Sequence, residues 1–291
     1  MSLTLYLLNK KGFEVLKAVT NSKKYFTCID IVVGARDKGI EEDYSNQIRD
    51  LCNTYNITYI DRSQKLTIQS EFSLAIGWKW LIKNQENLIV LHDSFLPKYR
   101  GFSPIVNMLI NGETYLGATA FWATEKMDEG NIISQKKIDI SYPIKIAKAI
   151  ELVAGLYVEI VLIILKLIID KKTLNSLPQN GDNATYSIWR NEEDYFINWA
   201  NAADQIVRFV DAVGYPYDGA KTKTEDGEII RILECEVVKN IVSEINAPGK
   251  LLMYDQNYPI ILCGQNAVKL LKIEDVNKKP HVFQKFRTRL N

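Results

Sequence analysis

The stretch LHDSFLPKYRGFSP, residues 91 to 104, places one of only two histidines in 291 residues at the end of an apolar, strand-like run. Imidazole is the side chain whose charge changes nearest neutral pH, so its setting decides what it can do. A histidine at a strand rim has an ordinary reading as a hydrogen-bonded structural residue. The segment after His92 argues for more: SFLPKYRGFSP cannot continue the strand, and Pro97 and Gly101 fix a tight loop that would hold the ring in an exposed crevice. A second feature, MDEGNII at residues 127 to 133, is an acidic turn between two apolar runs. By itself it reads as a solvated hairpin loop.

The elements that must position these residues follow from hydrophobic periodicity. Strand-like runs at 3–8, 28–34, 57–60, 73–76 and 88–92 alternate with helix-like segments near 12–19, 41–55 and 78–83. That rhythm predicts an α/β fold, a Rossmann-like doubly wound and mostly parallel sheet with helices on both faces. Ligands of such sheets bind beyond the carboxyl ends of the strands, where the strand order reverses, and His92 sits at such an end. A helix near 104–111, strands at 116–123 and 132–138, and a long apolar helix at 144–169 complete a first domain over residues 1–175. Residues 176–215 read as a linker and helix: LNSLPQNGDNATY is rich in turn residues, and Trp199, Ala202, Ile206, Phe209, Val210 and Val213 then recur at helical spacing. Residues 216–291 carry short strands split by Asp226-Gly227, Pro248-Gly249 and Cys263-Gly264, the pattern of a small, OB-like antiparallel β-barrel.

With 36 basic against 35 acidic residues, nothing in the charge balance advertises nucleic acid or an anionic membrane. Cys28, Cys52, Cys235 and Cys263 are widely spaced and form no CxxC pair, so reduced, mostly buried thiols and a cytoplasmic setting are expected. The opening MSLTLYLLNKKG lacks a basic region and a cleavage site and reads as a first strand, not a signal peptide. Residues 151–170 form the most apolar stretch, but Glu159 and Lys166 interrupt it, which predicts a buried helix and no membrane span.

His92 two residues before Ser94 in SFLP, the KYRG that follows, AIGWKWLI at 75–82 and MDEG at 127–130 together resemble the formyltransferase family. Its members carry an HxSLLPxxxG loop and, a similar distance later, a D-x-G turn. The resemblance covers nearly the whole chain and implies a folate-binding domain, a linker and a C-terminal barrel. It implies 10-formyltetrahydrofolate as donor, a primary amine as acceptor and no metal. It matches the family's catalytic histidine to His92 and its aspartate to Asp128. His92 would face the oxygen as charge develops, and Asp128 would orient the ring and accept or relay the proton. Gly77, Trp78, Leu91, Ser94, Leu96 and Pro97 are the residues expected to bind the folate. In one respect the chain departs: the family's N-x-H motif has Val90 in place of asparagine. Residues two apart share a face of a strand, so Asn87 does not stand in.

Three branches of that family differ in acceptor. The purine-pathway branch requires a Gly-rich phosphate loop after the first strand, where this chain has NKKG at 9–12. The tRNA branch requires a basic second domain, yet acidic and basic residues roughly balance beyond Asn175. The terminal KKPHVFQKFRTR is the exception and the best argument for methionyl-tRNA as the alternative acceptor. YSIWRNEEDYFINW, residues 186–199, is similar to the junction of nucleotide-sugar N-formyltransferases and favours an amino dideoxy sugar on a nucleoside diphosphate. Lys10, Lys11, Arg100, Gly101, Tyr186, Trp189, Arg190, Tyr195 and Trp199 are the residues expected to bind that substrate, offering ring faces for a base and cations for a diphosphate. A homodimer is the candidate assembly. A second alternative, a catalytically impaired ligand-binding homologue, is disfavoured by the presence of both His92 and Asp128.

Overall fold

The computed structural model describes residues 2–64, 69–83 and 86–291. The chain forms two compact units, one comprising Met1–Ile105, Tyr115–Ile140 and Lys148–Ile188, the other Val106–Thr114, Ser141–Ala147 and Trp189–Asn291.

The first unit is built from β1 (Leu3–Leu7), α1 (Asn9–Thr20), α2 (Lys23–Phe26), β2 (Ile29–Gly34), α3 (Ser45–Thr54), β3 (Thr58–Asp61), β4 (Phe72–Ile76), β5 (Leu88–His92), β6 (Arg100–Gly101), the start of α4 (Pro104–Asn111), β7 (Tyr115–Trp122), β8 (Ile132–Asp139), most of α5 (Ile146–Ile169) and β9 (Tyr186–Ser187). Seven strands form one sheet in the order β3-β2-β1-β4-β5-β7-β8. The first five run parallel, and β7 and β8 add antiparallel. All five residues of β1 are buried, the signature of a central strand covered on both faces. The order reverses between β1 and β4, which opens a crevice beyond their carboxyl ends.

By length and composition α5 is apolar enough to cross a membrane, but half of its most apolar 18-residue stretch is buried within the protein. Val153, Ala154, Tyr157, Ile160, Val161, Ile164 and Leu165 are the buried stripe that accounts for this composition. The expected helix at 78–83 does not form. Gly77 adopts a left-handed φ of 63°, and Trp78 instead packs edge-on against Tyr6 and Trp80, with centroids 5.2 and 5.0 Å away. Aromatic packing outweighs the modest helical propensity of tryptophan there.

In the second unit, α6 (Ala203–Val213) accompanies an antiparallel sheet of β10 (Ala220–Lys223), β11 (Ile229–Val238), β12 (Leu251–Asp255), β13 (Tyr258–Leu262) and β14 (Ala267–Asp275), in the order β10-β11-β14-β13-β12. The C-terminal residues link the two outer strands. Lys223 and Asn291 exchange both backbone hydrogen bonds at 2.9 Å, Leu251 N–H donates to Thr288 O, and Leu290 N–H donates to Gly249 O. Edge groups that an open sheet would leave unpaired are thereby satisfied.

Candidate active site

His92 is the last residue of β5 and is buried. Its Nε2 lies 2.7 Å from the Tyr99 carbonyl oxygen, an acceptor only, so Nε2 carries a hydrogen and Nδ1 is left to face the Asp128 carboxylate, 3.6 Å away. Tyr99 is delivered by the loop in a left-handed conformation, φ 58°. Asp128 is also left-handed, φ 54°, which turns its side chain back so that Oδ2 accepts the Gly101 N–H at 2.7 Å. Gly101 has φ 104°, and a Cβ there would collide with the Ser187 carbonyl oxygen, so glycine is required.

The segment at 174–186, expected as a linker, supplies a clamp. Gln179 Nε2 donates to the Asp128 and Gly130 carbonyl oxygens, both at 2.8 Å, while its Oε1 accepts from Arg100 Nε and Nη2. Thr185 and Ser187 continue it, since β6 pairs with β9 and the Tyr99 N–H donates to Thr185 Oγ1. Gln179 carried no motif signal; only the chain path reveals it.

The His92–Asp128 pair borders a cleft of about 430 Å³ within the first unit. Lys11 follows β1, Gly77 and Trp78 follow β4, and Asp93 follows β5, so the cleft lies over the reversal in strand order. Its walls are largely apolar, with Trp78, Leu81, Ile82, Leu91 and Phe121, and its polar end holds His92, Asp93, Asp128, Lys11 and Tyr157. Asp93 Oδ1 accepts from the Tyr157 hydroxyl at 2.5 Å, and Oδ2 pairs with Lys11 Nζ. Burial pushes the Asp93 carboxyl up, but the Lys11 charge and the hydrogen bonds from Lys11 and Tyr157 more than offset it, leaving Asp93 below the usual carboxylate range. Burial and the adjacent Asp93 carboxylate drive the Tyr157 hydroxyl well above its ordinary value. Among the described residues no three His, Cys, Asp or Glu side chains converge as a metal site.

The expected site residues separate into groups. Gly77, Trp78, Leu91, Lys11 and Gly101 line the cleft with His92 and Asp128. Ser94, Leu96 and Pro97 do not line it and instead shape the loop: Ser94 Oγ donates to Lys98 O, the Leu96 N–H donates to Thr119 Oγ1, and Pro97 O accepts the Thr185 N–H. Arg100, expected at the substrate, is buried between Gln179 and Glu129, 3.0 Å from the latter, because a guanidinium with five donors suits that crossing point. In the second unit, Arg190 donates to Asp194 O and lies over the rings of Tyr195 and Phe209, and the buried Trp199 donates its indole hydrogen to Thr222; these contacts are packing. Tyr186 and Trp189 are exposed, and Lys10 is half-buried outside the cleft.

A doubly wound α/β unit with an imidazole and a carboxylate facing each other over its switch-point cleft, followed in the chain by an antiparallel β unit, defines a recognisable class. Residues 38–148 match the formyl transferase family model and residues 190–290 match the model of the formyl transferase C-terminal domain. The chain belongs to the formyl transferase family. It is 32% identical over 192 residues to a methionyl-tRNA formyltransferase of Leptospira interrogans, a stretch that is 65% of this chain and 60% of that protein. In solved structures, a sugar 3N-formyl transferase, WlaRD, crystallised with dTDP and 5-N-formyl-THF, shares the fold at a TM-score of 0.70 and 18% identity, covering 96% of this chain and 99% of that one. An N-formyltransferase from Helicobacter canadensis in complex with folinic acid and dTDP-3-aminofucose matches at 0.65 and 15%, covering 93% and 98%.

Proposed function

We propose that this protein transfers a formyl group from 10-formyltetrahydrofolate to the primary amine of a nucleotide-linked amino dideoxy sugar. The observation that carries the reading is the His92–Asp128 pair, 3.6 Å apart at the polar end of an otherwise apolar cleft. A flat heteroaromatic ring fits such walls. The bound folate would supply the activated formyl carbon. The protein's part is to orient the attacking amine and move its proton: Asp128, held by the Gly101 N–H, faces Nδ1 of an imidazole whose other nitrogen is committed to Tyr99 O.

The sugar acceptor is favoured over tRNA because four cations of the second unit are held by neighbouring acids. Lys145 pairs with Glu234, Lys221 with Glu192, Lys269 with Asp255 and Glu236, and Lys272 with Glu274. Polyanion binding needs a free row of such charges. The methionyl-tRNA reading keeps two arguments, the name of the sequence relative and the basic terminal run KKPHVFQKFRTR, and one test decides. Formyl transfer is measured across thymidine-, uridine- and guanosine-diphosphate amino sugars and charged initiator tRNA. Turnover of a nucleotide sugar with micromolar KM supports the proposal; turnover confined to the tRNA, weakening steeply with salt, overturns it.

A further inference from the structure

Resting on the formyl-transfer reading, a further residue emerges from the hydrogen-bond donors around the cleft. The formyl oxygen gains charge during attack and needs a donor. Val90 offers none; it packs with Ile31, Trp78, Ile82 and Ala123 on the cluster of Tyr6, Val33, Ala75 and Leu88. His92 is committed to Tyr99 O, Tyr157 to Asp93 and Thr124 to Lys126 O. Lys79 and Lys126, paired with Asp37 and Glu129, are 46% and 80% exposed, so water competes for their remaining hydrogens, and Ser103 is engaged. The Trp78 indole N–H is unpartnered but sealed from the surface. Lys11 differs. Its ammonium has three hydrogens, and Asp93 is its one hydrogen-bond partner among the described residues, although the side chain is 13% exposed where it lines the cleft.

We infer that Lys11 is a catalytic residue that donates a charge-assisted hydrogen bond to the formyl oxygen, with Asp93 and Tyr157 as positioning residues. Both oxygens of Asp93 are used, one by Lys11 and one by Tyr157, so the ammonium is anchored between β5 and α5. In the step it serves, the lone pair of the acceptor nitrogen forms the new C–N bond while the carbonyl π pair moves onto oxygen beside Lys11. When that pair returns, the bond from the formyl carbon to the donor nitrogen breaks and its electrons stay on that nitrogen. One proton leaves the acceptor nitrogen through His92 and Asp128, and one is taken up by the departing nitrogen. Asp93 neutralises Lys11 in the ground state, which makes it a poor anchor for a diphosphate and leaves its remaining hydrogens for charge that appears only during reaction.

The experiment uses the full chain and two readouts: steady-state kinetics, and the infrared C=O stretch of a non-transferring 10-formyl folate analogue carrying 13C at the formyl carbon. Lys11→Met should lower kcat about a hundredfold, keep the acceptor KM within about threefold and raise the stretching frequency of the bound analogue. Lys11→Arg should recover part of both. If Lys11→Met does not fold, Lys11→Met with Asp93→Asn removes both buried charges together and serves in its place. An unchanged kcat with an unshifted stretch overturns the assignment, as does a large rise in acceptor KM with kcat intact, which would make Lys11 a ground-state anion site. Absence of transfer by the wild-type protein to any amine, tRNA included, would sink the formyl-transfer reading, and this assignment with it.

Discussion

At the scale of single residues, the hydrogen bond from His92 Nε2 to Tyr99 O matters most, because it leaves only Nδ1 to exchange a proton with Asp128. Asp128→Asn keeps an oxygen for the Gly101 N–H but loses the carboxylate. We expect kcat to fall by roughly 10²–10⁴, while folate-analogue binding, measured by calorimetry, and the melting temperature change little; unfolding of the variant would mark Asp128 as structural instead. Val90→Asn inserts an amide beside Trp78, Ile82 and Ala123. It should lower stability by about 1–3 kcal/mol if left unsatisfied, yet leave the transfer rate unchanged or raised. A strong loss of rate in a folded Val90→Asn protein would mean that the site relies on the apolar side chain.

Elements carry the site through three segments distant in sequence: the loop after β5, the turn before β8, and residues 177–187. The last holds the other two, by Gln179 to the Asp128 and Gly130 carbonyls and by β9 to β6. Gln179→Ala strands two carbonyl oxygens and part of Arg100, so chemical denaturation should report a loss of about 1–3 kcal/mol. Because it loosens the Asp128 turn, kcat should drop more than KM rises; equal kinetics in a destabilised protein would reduce the clamp to a packing feature. Gly101→Ala should be worse on both counts, since its left-handed φ and the nearby Ser187 carbonyl leave no room for a methyl group.

For the molecule as a whole, closure of the second unit depends on its last residues. Leu290 is buried, and residues 288–291 supply backbone bonds to Gly249, Leu251 and Lys223. Removing them should lower the melting temperature of the second unit by several degrees, about 4 °C for each kcal/mol lost in a domain of this size. Truncation is therefore a poor probe of the basic terminal run; Lys285→Ala with Arg287→Ala tests tRNA binding without opening the sheet. The same unit half-buries Asp211, whose carboxyl is pushed up to about 6 by desolvation and by Glu234, against the pull of Lys145. A carboxyl with a folded pKa above its unfolded value holds its proton better when folded, so its contribution favours folding at low pH and is lost as pH rises from about 4 to 6. Asp211→Asn should raise stability by about 1 kcal/mol above pH 7, a figure reduced for partial exposure, and have no effect near pH 4. A variant equally stabilised at both pH values would show that titration is not the cause.

The sequence by itself determined the alternation of strands and helices, the placing of His92 at a strand end and the pairing of LHDSFLPKYRG with MDEG, because apolar periodicity and glycine and proline chemistry are local properties. It could not separate the loop-shaping Ser94, Leu96 and Pro97 from the cleft-lining Gly77, Trp78 and Leu91, since both groups lie in the same short motifs and differ only in which way the folded loop turns them. Arg100 and Arg190 read as free cations until the fold supplied Gln179, Glu129 and the rings of Tyr195 and Phe209. The buried Lys11–Asp93–Tyr157 cluster and the Gln179 clamp were decided by tertiary structure alone. Their partners lie 82, 64 and 51 residues apart, and a contact at that separation leaves no periodic trace in the chain, because it exists only once the sheet order has brought the segments together.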